Sequence, residues 1–403
     1  MIKPLVSVII PIYNQEPYLR QCMNSVLSQT LENIEIIAIN DGSTDASLDI
    51  ITEYIKRDER VRLINQENMG VASARNNGIN VANGQFVAFM DPDDWYPEND
   101  ILQVMYQTAI DKNVKIVGGS LSRWLDGQAT YEHDRWEKTN ADYMFTEDKL
   151  LYYRDYQFDY GFWRFLYQLD MLRVNGIKFP PYQRFQDPPF FCEAMICASE
   201  FYALKKITYM YRVEKKQINW TDRKVCDTIS GMLDLLELSK KHKLEKLHFI
   251  AFYRLNTKYL GDIVSESLKN GNRNLLLLLA KANNAIDIAL LLDAKSKIHK
   301  ETWKIMDGFS QSDIVWIKSL FLLNLQSRPE QLEQRLQQIE QEKQHIEEQI
   351  QMLQSGHGNI IYTIRHSIKH FFYILNRGFK CLKDHGLRYT VKHIFKSIKE
   401  LTK

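Results

Sequence analysis

Three carboxylates, Asp91, Asp93 and Asp94, follow directly on the apolar run of GQFVAFMDPDDWYP, and a fourth, Asp41, ends the run of IIAINDGSTD. Like charges this close repel and shift one another's pKa unless a cation joins them. A divalent ion such as Mg²⁺ or Mn²⁺ resolves the conflict: it takes carboxylate oxygens and shares its remaining positions with substrate phosphates. The cluster would then hold a diphosphate through the metal. Taken alone, DPDD also suits a plain turn, because Asp and Pro are favoured turn residues at a strand end.

The elements around these residues converge them on one edge. LVSVIIPIY, IEIIAIN, VRLIN, QFVAFM and KIVGG are short apolar β-rich runs. Between them EPYLRQCMNSVLSQT, DASLDIITEYIKRD, GVASARNNGINVAN and PENDILQVMYQTAIDK carry helical periodicity. Such alternation predicts an α/β fold with right-handed crossovers and a mostly parallel sheet covered on both faces. Sheets of this kind bind ligands beyond the carboxyl ends of their strands, where Asp41 and the 91–94 cluster fall. Gly42 and Gly70 read as turn formers with positive φ.

At 403 residues, with 45% hydrophobic and 25% charged content, the chain has ample material for two or three domains and none of the composition of disorder. The opening MIKPLVSVIIPIYN reads as a buried strand, not a leader, since its apolar run is short and β-branched with no small-residue cleavage site. No window approaches the roughly 18 to 20 apolar residues of a membrane span. Five scattered cysteines without CxxC spacing point to reduced thiols in a cytoplasm.

Four blocks, VSVIIPIYN, IIAINDGSTD, NMGVASARNNGI and GQFVAFMDPDDWY, occur in an order and spacing that closely resembles the inverting family 2 glycosyltransferases of the GT-A fold, over residues 5–97. The resemblance, of the bacterial surface-polysaccharide type, implies transfer of a sugar from a nucleoside diphosphate donor to a hydroxyl of a glycan or lipid-linked acceptor, with Mn²⁺ or Mg²⁺ as cofactor. It implies that Pro11 and Tyr13 cradle the nucleobase, that Asp41 accepts from its ring N–H, and that Arg75 closes the base pocket. Asp91 and Asp93 would belong to the donor site, and Asp93 or Asp94 would meet the metal; which of the three ligates it directly stays open. An Asp acceptor suits the imide N–H of uracil or thymine, so uridine donors are favoured.

Inverting transfer also needs a base to take the acceptor proton. In the resembling enzymes it is the Asp of a Glu-Asp pair opening a helix. The matching segment here is YQRFQDPPFF, which makes Asp187 the candidate and Gln186 a departure from the usual Glu. On its own, an Asp before Pro188 reads as a helix cap. Looser matches put Trp163 and Arg164 on the acceptor side and Tyr211 and Arg212 near the diphosphate, where Arg suits phosphate. The aromatic side chains of residues 152–167 suit either sugar stacking or a plain core. A further helix is expected in PPFFCEAMICASEFYAL. The QxxRW block of processive polymerases and the GxGxRL-type loop of pyrophosphorylases are absent.

The expected organisation is a GT-A domain over 1–220, a helical domain over 221–328, a coiled coil over 329–355 and a basic amphipathic tail over 356–403. Leu332, Leu336, Ile339, Lys343, Ile346, Ile350 and Leu353 form the coiled-coil seam, with Lys343 at an a position, and imply a homo-oligomer of unspecified number; a single solvated helix is the plain alternative. Net charge is +2 overall, but ten Lys or Arg against Asp384 and Glu400 make the tail about +8. Its apolar stripe and lysines suit an anionic membrane surface, and equally helices bundled on their own oligomer. Nucleic acid is disfavoured because no recognition module accompanies the charge. His366 and His370 are four apart without a third ligand, which favours a positive face over a metal site. A peripheral, cytoplasmic-face enzyme is expected; the rival is a non-catalytic coiled-coil scaffold carrying a degenerate transferase domain in a polysaccharide assembly complex.

Overall fold

A computed structural model describes residues 3–125, 128–130, 144–213, 218–255, 260, 263–264, 266–267 and 272–297. The chain divides into two compact units, Met1–Gly308 and Phe309–Lys403, and every described residue lies in the first. The expected coiled coil at 329–355 and tail at 356–403 lie outside the described residues.

The chain begins with β1 (Val6–Ile12), α1 (Glu16–Leu27), β2 (Ile34–Asp41), α2 (Ser47–Arg57), β3 (Val61–Gln66), α3 (Val71–Val81), β4 (Phe86–Phe89), α4 (Ile101–Asp111) and β5 (Ile116–Leu125). Every residue of β1, β2 and β4 is buried, as expected of parallel strands covered on both faces. β6 (Gln128–Thr130) pairs with β5, and then come β7 (Lys149–Tyr152), the short helix α5 (Tyr153–Tyr156), a 3₁₀ turn at Phe162–Arg164, β8 (Phe165–Gln168) and α6 (Leu169–Val174). Next, α7 (Asp187–Ala198) leads into β9 (Glu200–Arg212). The sheet runs β3-β2-β1-β4-β8-β5-β9-β7. Its first four strands are parallel, and β8 runs antiparallel between β4 and β5. This is the mostly parallel, helix-flanked sheet that the alternation predicts.

Two local expectations change. The helix expected through residue 204 ends at Ala198, where Ser199 turns with φ 64, and the remaining β-rich residues open the long strand β9. The aromatic segment 152–167 is chiefly core: Tyr153, Tyr156, Phe162, Phe165 and Tyr167 are buried. Beneath β4, Phe89 meets Phe162, Tyr167, Phe179 and Phe190, and Phe179 stacks on Phe190 at 3.8 Å. Burying each such ring contributes about 2–3 kcal/mol and leaves the acidic loop on a rigid floor.

Helices α8 (Asp222–His242) and α9 (Glu245–Leu255) follow, then helices at Arg273–Ala285 and Ile288–Lys297. Thr221 caps α8 by accepting from Lys224 N. The four described cysteines are free thiols. Among the described residues, no helix is long and apolar enough to cross a membrane.

Candidate active site

The carboxyl ends of β1 and β2 form one side of the edge. Pro11 is buried in β1, whereas Tyr13 just beyond it is 47% exposed. Asp41, at the end of β2, is buried; its Oδ1 accepts from Gln66 Nε2 (2.7 Å) and Met69 N (2.9 Å), and its Oδ2 from Gly70 N (2.9 Å). A carboxylate has about four acceptor positions, so one on Oδ2 remains for a ligand N–H. The loop can turn its amides inward because Gly70 takes φ 87, and Gly42 takes φ 76 after Asp41, conformations glycine adopts without strain.

The second side is the loop after β4. Asp91 Oδ1 accepts from Arg75 (2.7 Å), and Asp94 is almost wholly buried, with Tyr209 donating to Oδ2 (2.9 Å) and Arg212 N to Oδ1 (2.7 Å). Burial pushes the Asp94 carboxyl well above its usual range, and the negative charges of Asp93 and Asp91 push it further. That excess of negative charge is the condition a divalent cation relieves, so the donor set fits one. Each Asp94 oxygen holds one hydrogen bond and Asp91 Oδ1 holds another, so Asp91, Asp94 and the half-buried Asp93 all remain carboxylates that could meet a metal. Among the described residues, no three acidic, imidazole or thiol groups form a ready-made cage; Mg²⁺-type sites complete their shells with substrate phosphate and water. Arg212 also donates from Nε to the Asp93 carbonyl (2.8 Å) and lies over the Tyr18 and Trp95 rings, so it braces the acidic loop.

The third component is Asp187. It opens α7 but does not cap it; Gln186 occupies the cap position and no side-chain capping bond forms. Asp187 Oδ1 instead accepts from Arg75 Nη1 (2.7 Å), and its side chain stays 40% exposed. Desolvation on its protein side raises its pKa, Arg75 opposes, and nearby Asp91 raises it again. An accessible carboxylate with a raised pKa, aimed by a fixed cation, has the attributes of a general base.

Arg75 departs from its expected place. Its guanidinium is buried over Phe162 (4.6 Å) and Phe179 (5.1 Å) and bridges Asp91 to Asp187 instead of lining a base pocket. Arg164 departs further: it is buried in the core, donating to Gly119 O (2.9 Å) and the Tyr156 hydroxyl (2.7 Å) between the Phe145 and Phe165 rings. Its neighbour Trp163 is buried as well, and stacks on Tyr209 (4.1 Å) and Tyr211 (5.3 Å) of β9, of which Tyr209 holds Asp94.

Sequence reasoning missed Tyr209, Gln66, Asn76 and Asn77. Asn77 donates to Gln66 Oε1, whose amide in turn donates to Asp41. Asn76 Nδ2 donates to Phe179 O (2.8 Å), and its Oδ1 accepts from Phe179 N (2.9 Å), which pins the loop that leads to Asp187. The signal lay in ARNN itself: three consecutive polar side chains in the middle of a helix, each bonded to a different segment.

The sheet and its edge define an α/β domain of the GT-A type. The sequence pattern described as Glycosyl transferase family 2 matches residues 7–170. GlyG of Streptococcus pneumoniae, a glycosyltransferase, is 31% identical over 247 residues, 59% of this chain and 79% of GlyG. The chain belongs to glycosyltransferase family 2. EpsJ of Bacillus subtilis, named an uncharacterized glycosyltransferase, is 36% identical over 214 residues, 52% of this chain and 61% of EpsJ. The chain thus spans about three fifths of the length of that relative. In fold it is similar to Staphylococcus aureus TarS 1-349 in complex with UDP-GlcNAc, with a TM-score of 0.59 at 19% identity over 76% of this chain and 91% of that one.

Proposed function

We propose that this chain is a metal-dependent, inverting glycosyltransferase that moves a sugar from a UDP-linked donor to a hydroxyl of a glycan or lipid-linked acceptor in bacterial surface-polysaccharide synthesis. The observation that carries the reading is the exposed Asp187 carboxylate, with its raised pKa, held by the Arg75 that also holds Asp91. In this reading Asp187 removes the acceptor proton as the acceptor oxygen attacks the anomeric carbon. Arg75 keeps the base aimed, and Asp41 uses its remaining acceptor position for the uracil imide. Tyr13 offers its exposed ring to the base, and Trp163 walls the acceptor side. A divalent ion held by Asp93 with Asp91 or Asp94 would neutralise the departing diphosphate. UDP in the complexes of the similar TarS fold supports the donor class. A homo-oligomer through residues 329–355 and a membrane-surface tail over 356–403 complete the proposal.

The test is thermal-shift binding of UDP-, GDP- and dTDP-sugars with and without Mn²⁺, on the wild type and Asp93→Ala. Mn²⁺-dependent stabilisation by UDP-sugars that the variant loses is the expected result. Equal binding without metal, or none by any donor, would refute it.

A further inference from the structure

Helix α8 lies beyond the residues that the family pattern matches, yet it shapes the loop ahead of Asp187. Gln183 donates its backbone N–H to Asp227 Oδ2 (2.8 Å), and the Tyr182 hydroxyl donates to Asp234 Oδ2 (2.8 Å). Asp227, Gly231 and Asp234 are spaced four and three apart, and so share one face of α8. Gly231 sits directly against Phe185: a Cβ there would lie 2.7 Å from both Phe185 Cδ1 and its carbonyl oxygen. From α9, the Arg254 guanidinium lies 5.7 Å over the Phe185 ring and pairs with buried Asp159. Phe185 takes φ 68, a left-handed conformation that costs a non-glycine residue about 1–2 kcal/mol and persists only where its surroundings impose it. Two residues on stands Asp187.

We infer that the Asp227–Gly231–Asp234 face of α8 is a positioning surface: it holds residues 182–185 in the conformation that sets Asp187 against Arg75. The inference rests on reading Asp187 as the base, and it names the part of the chain that governs that site. None of the three residues touches substrate in this account. Their effect passes through the loop, so turnover should fall while donor affinity does not.

The test uses the full chain with Gly231→Ala, Asp234→Leu and Asp234→Asn. It follows kcat at saturating donor, donor Kd, and hydrogen exchange of the amides at 182–187. Gly231→Ala is expected to lower kcat about tenfold or more with donor Kd unchanged and faster exchange confined to the loop, since small misplacements of a base are costly. Asp234→Leu should act in the same direction, and Asp234→Asn, which keeps an acceptor for Tyr182, should restore near wild-type behaviour. Should Gly231→Ala fail to fold, the Asp234 pair decides. Unchanged kcat in folded Gly231→Ala and Asp234→Leu, or a matched loss in Asp234→Leu and Asp234→Asn, would overturn the inference. If Asp187→Asn keeps turnover, the base reading falls separately, and hydrogen exchange alone then decides: faster loop exchange upholds the positioning surface and unchanged exchange overturns it.

Discussion

The edge proposed to hold the donor and the edge proposed to carry the base share Arg75 but are built by different means. At the donor edge, Asp41 is held by amides of a loop 28 and 29 residues on, inside contiguous strand–helix units, and two glycines supply the turns. At the base edge, Asp187, first residue of α7, is met by a guanidinium 112 residues away, and the loop before it is bonded to α8. Turn chemistry fixes the first; long-range charge pairing and packing fix the second. The first should therefore tolerate changes elsewhere in the chain, and the second should be sensitive to them.

The distinction is broken or sharpened most strongly by Asp187→Asn, which is expected to cut kcat by about 10³-fold, within the usual range for a general base, while donor Kd stays constant. Donor titration beside single-turnover rates reads both, and a parallel loss of donor affinity would erase the boundary. Arg75→Met removes the cation shared by the two edges and leaves Asp91 and Asp187 uncompensated. Chemical denaturation should show a loss of about 3 kcal/mol, as for a broken buried pair.

The helical region supplies a pH test. His248 Nε2 accepts from Asp287 N (2.8 Å), its Nδ1 faces Ser239 Oγ (2.8 Å), and burial lowers its pKa to about 4, with Asp287 opposing and Lys240 assisting. The ring is neutral in the fold and titrates near 6.5 when unfolded. The unfolded chain therefore binds the extra proton between these values, and stability falls as pH drops through that window. Denaturation at pH 7 and pH 5 should differ by about 2 kcal/mol from this group, and His248→Gln should flatten the difference. The smallest effect is expected from Gly70→Ala. A Cβ there meets nothing within 4 Å, so only the φ of 87 opposes it; a cost of about 1 kcal/mol is expected, with donor affinity reduced and turnover at saturating donor kept.

The placement of Asp41 and of residues 91–94 at the strand ends was legible because its signals are local. Strand ends, Gly42, Gly70 and the Asp residues lie within the runs that form them, and periodicity places them. The misreadings share the opposite cause. ARN suggested the base pocket for Arg75, but its partners are 16 and 112 residues distant, and no spacing rule links them. Arg164 was read with its neighbour Trp163 as bordering the acceptor, but both are buried: Arg164 bonds Gly119 O and Tyr156, and Trp163 stacks on the Tyr209 that holds Asp94. The contacts of Asp94 were out of reach for the same reason, since Tyr209 and the Arg212 amide that meet its oxygens come from β9, more than 110 residues on.

The Arg75 bridge also orders events in time. The guanidinium emerges from the ribosome 112 residues ahead of Asp187, an interval of about 6–22 s at roughly 5–20 residues per second. Asp91 follows within 16 residues, so for most of that interval it is the acidic partner already made, and Asp187 joins it only later. Tyr209 and the Arg212 amide, which hold Asp94, are made later still, so both ends of the bridge exist before the acidic loop beside it is fully braced.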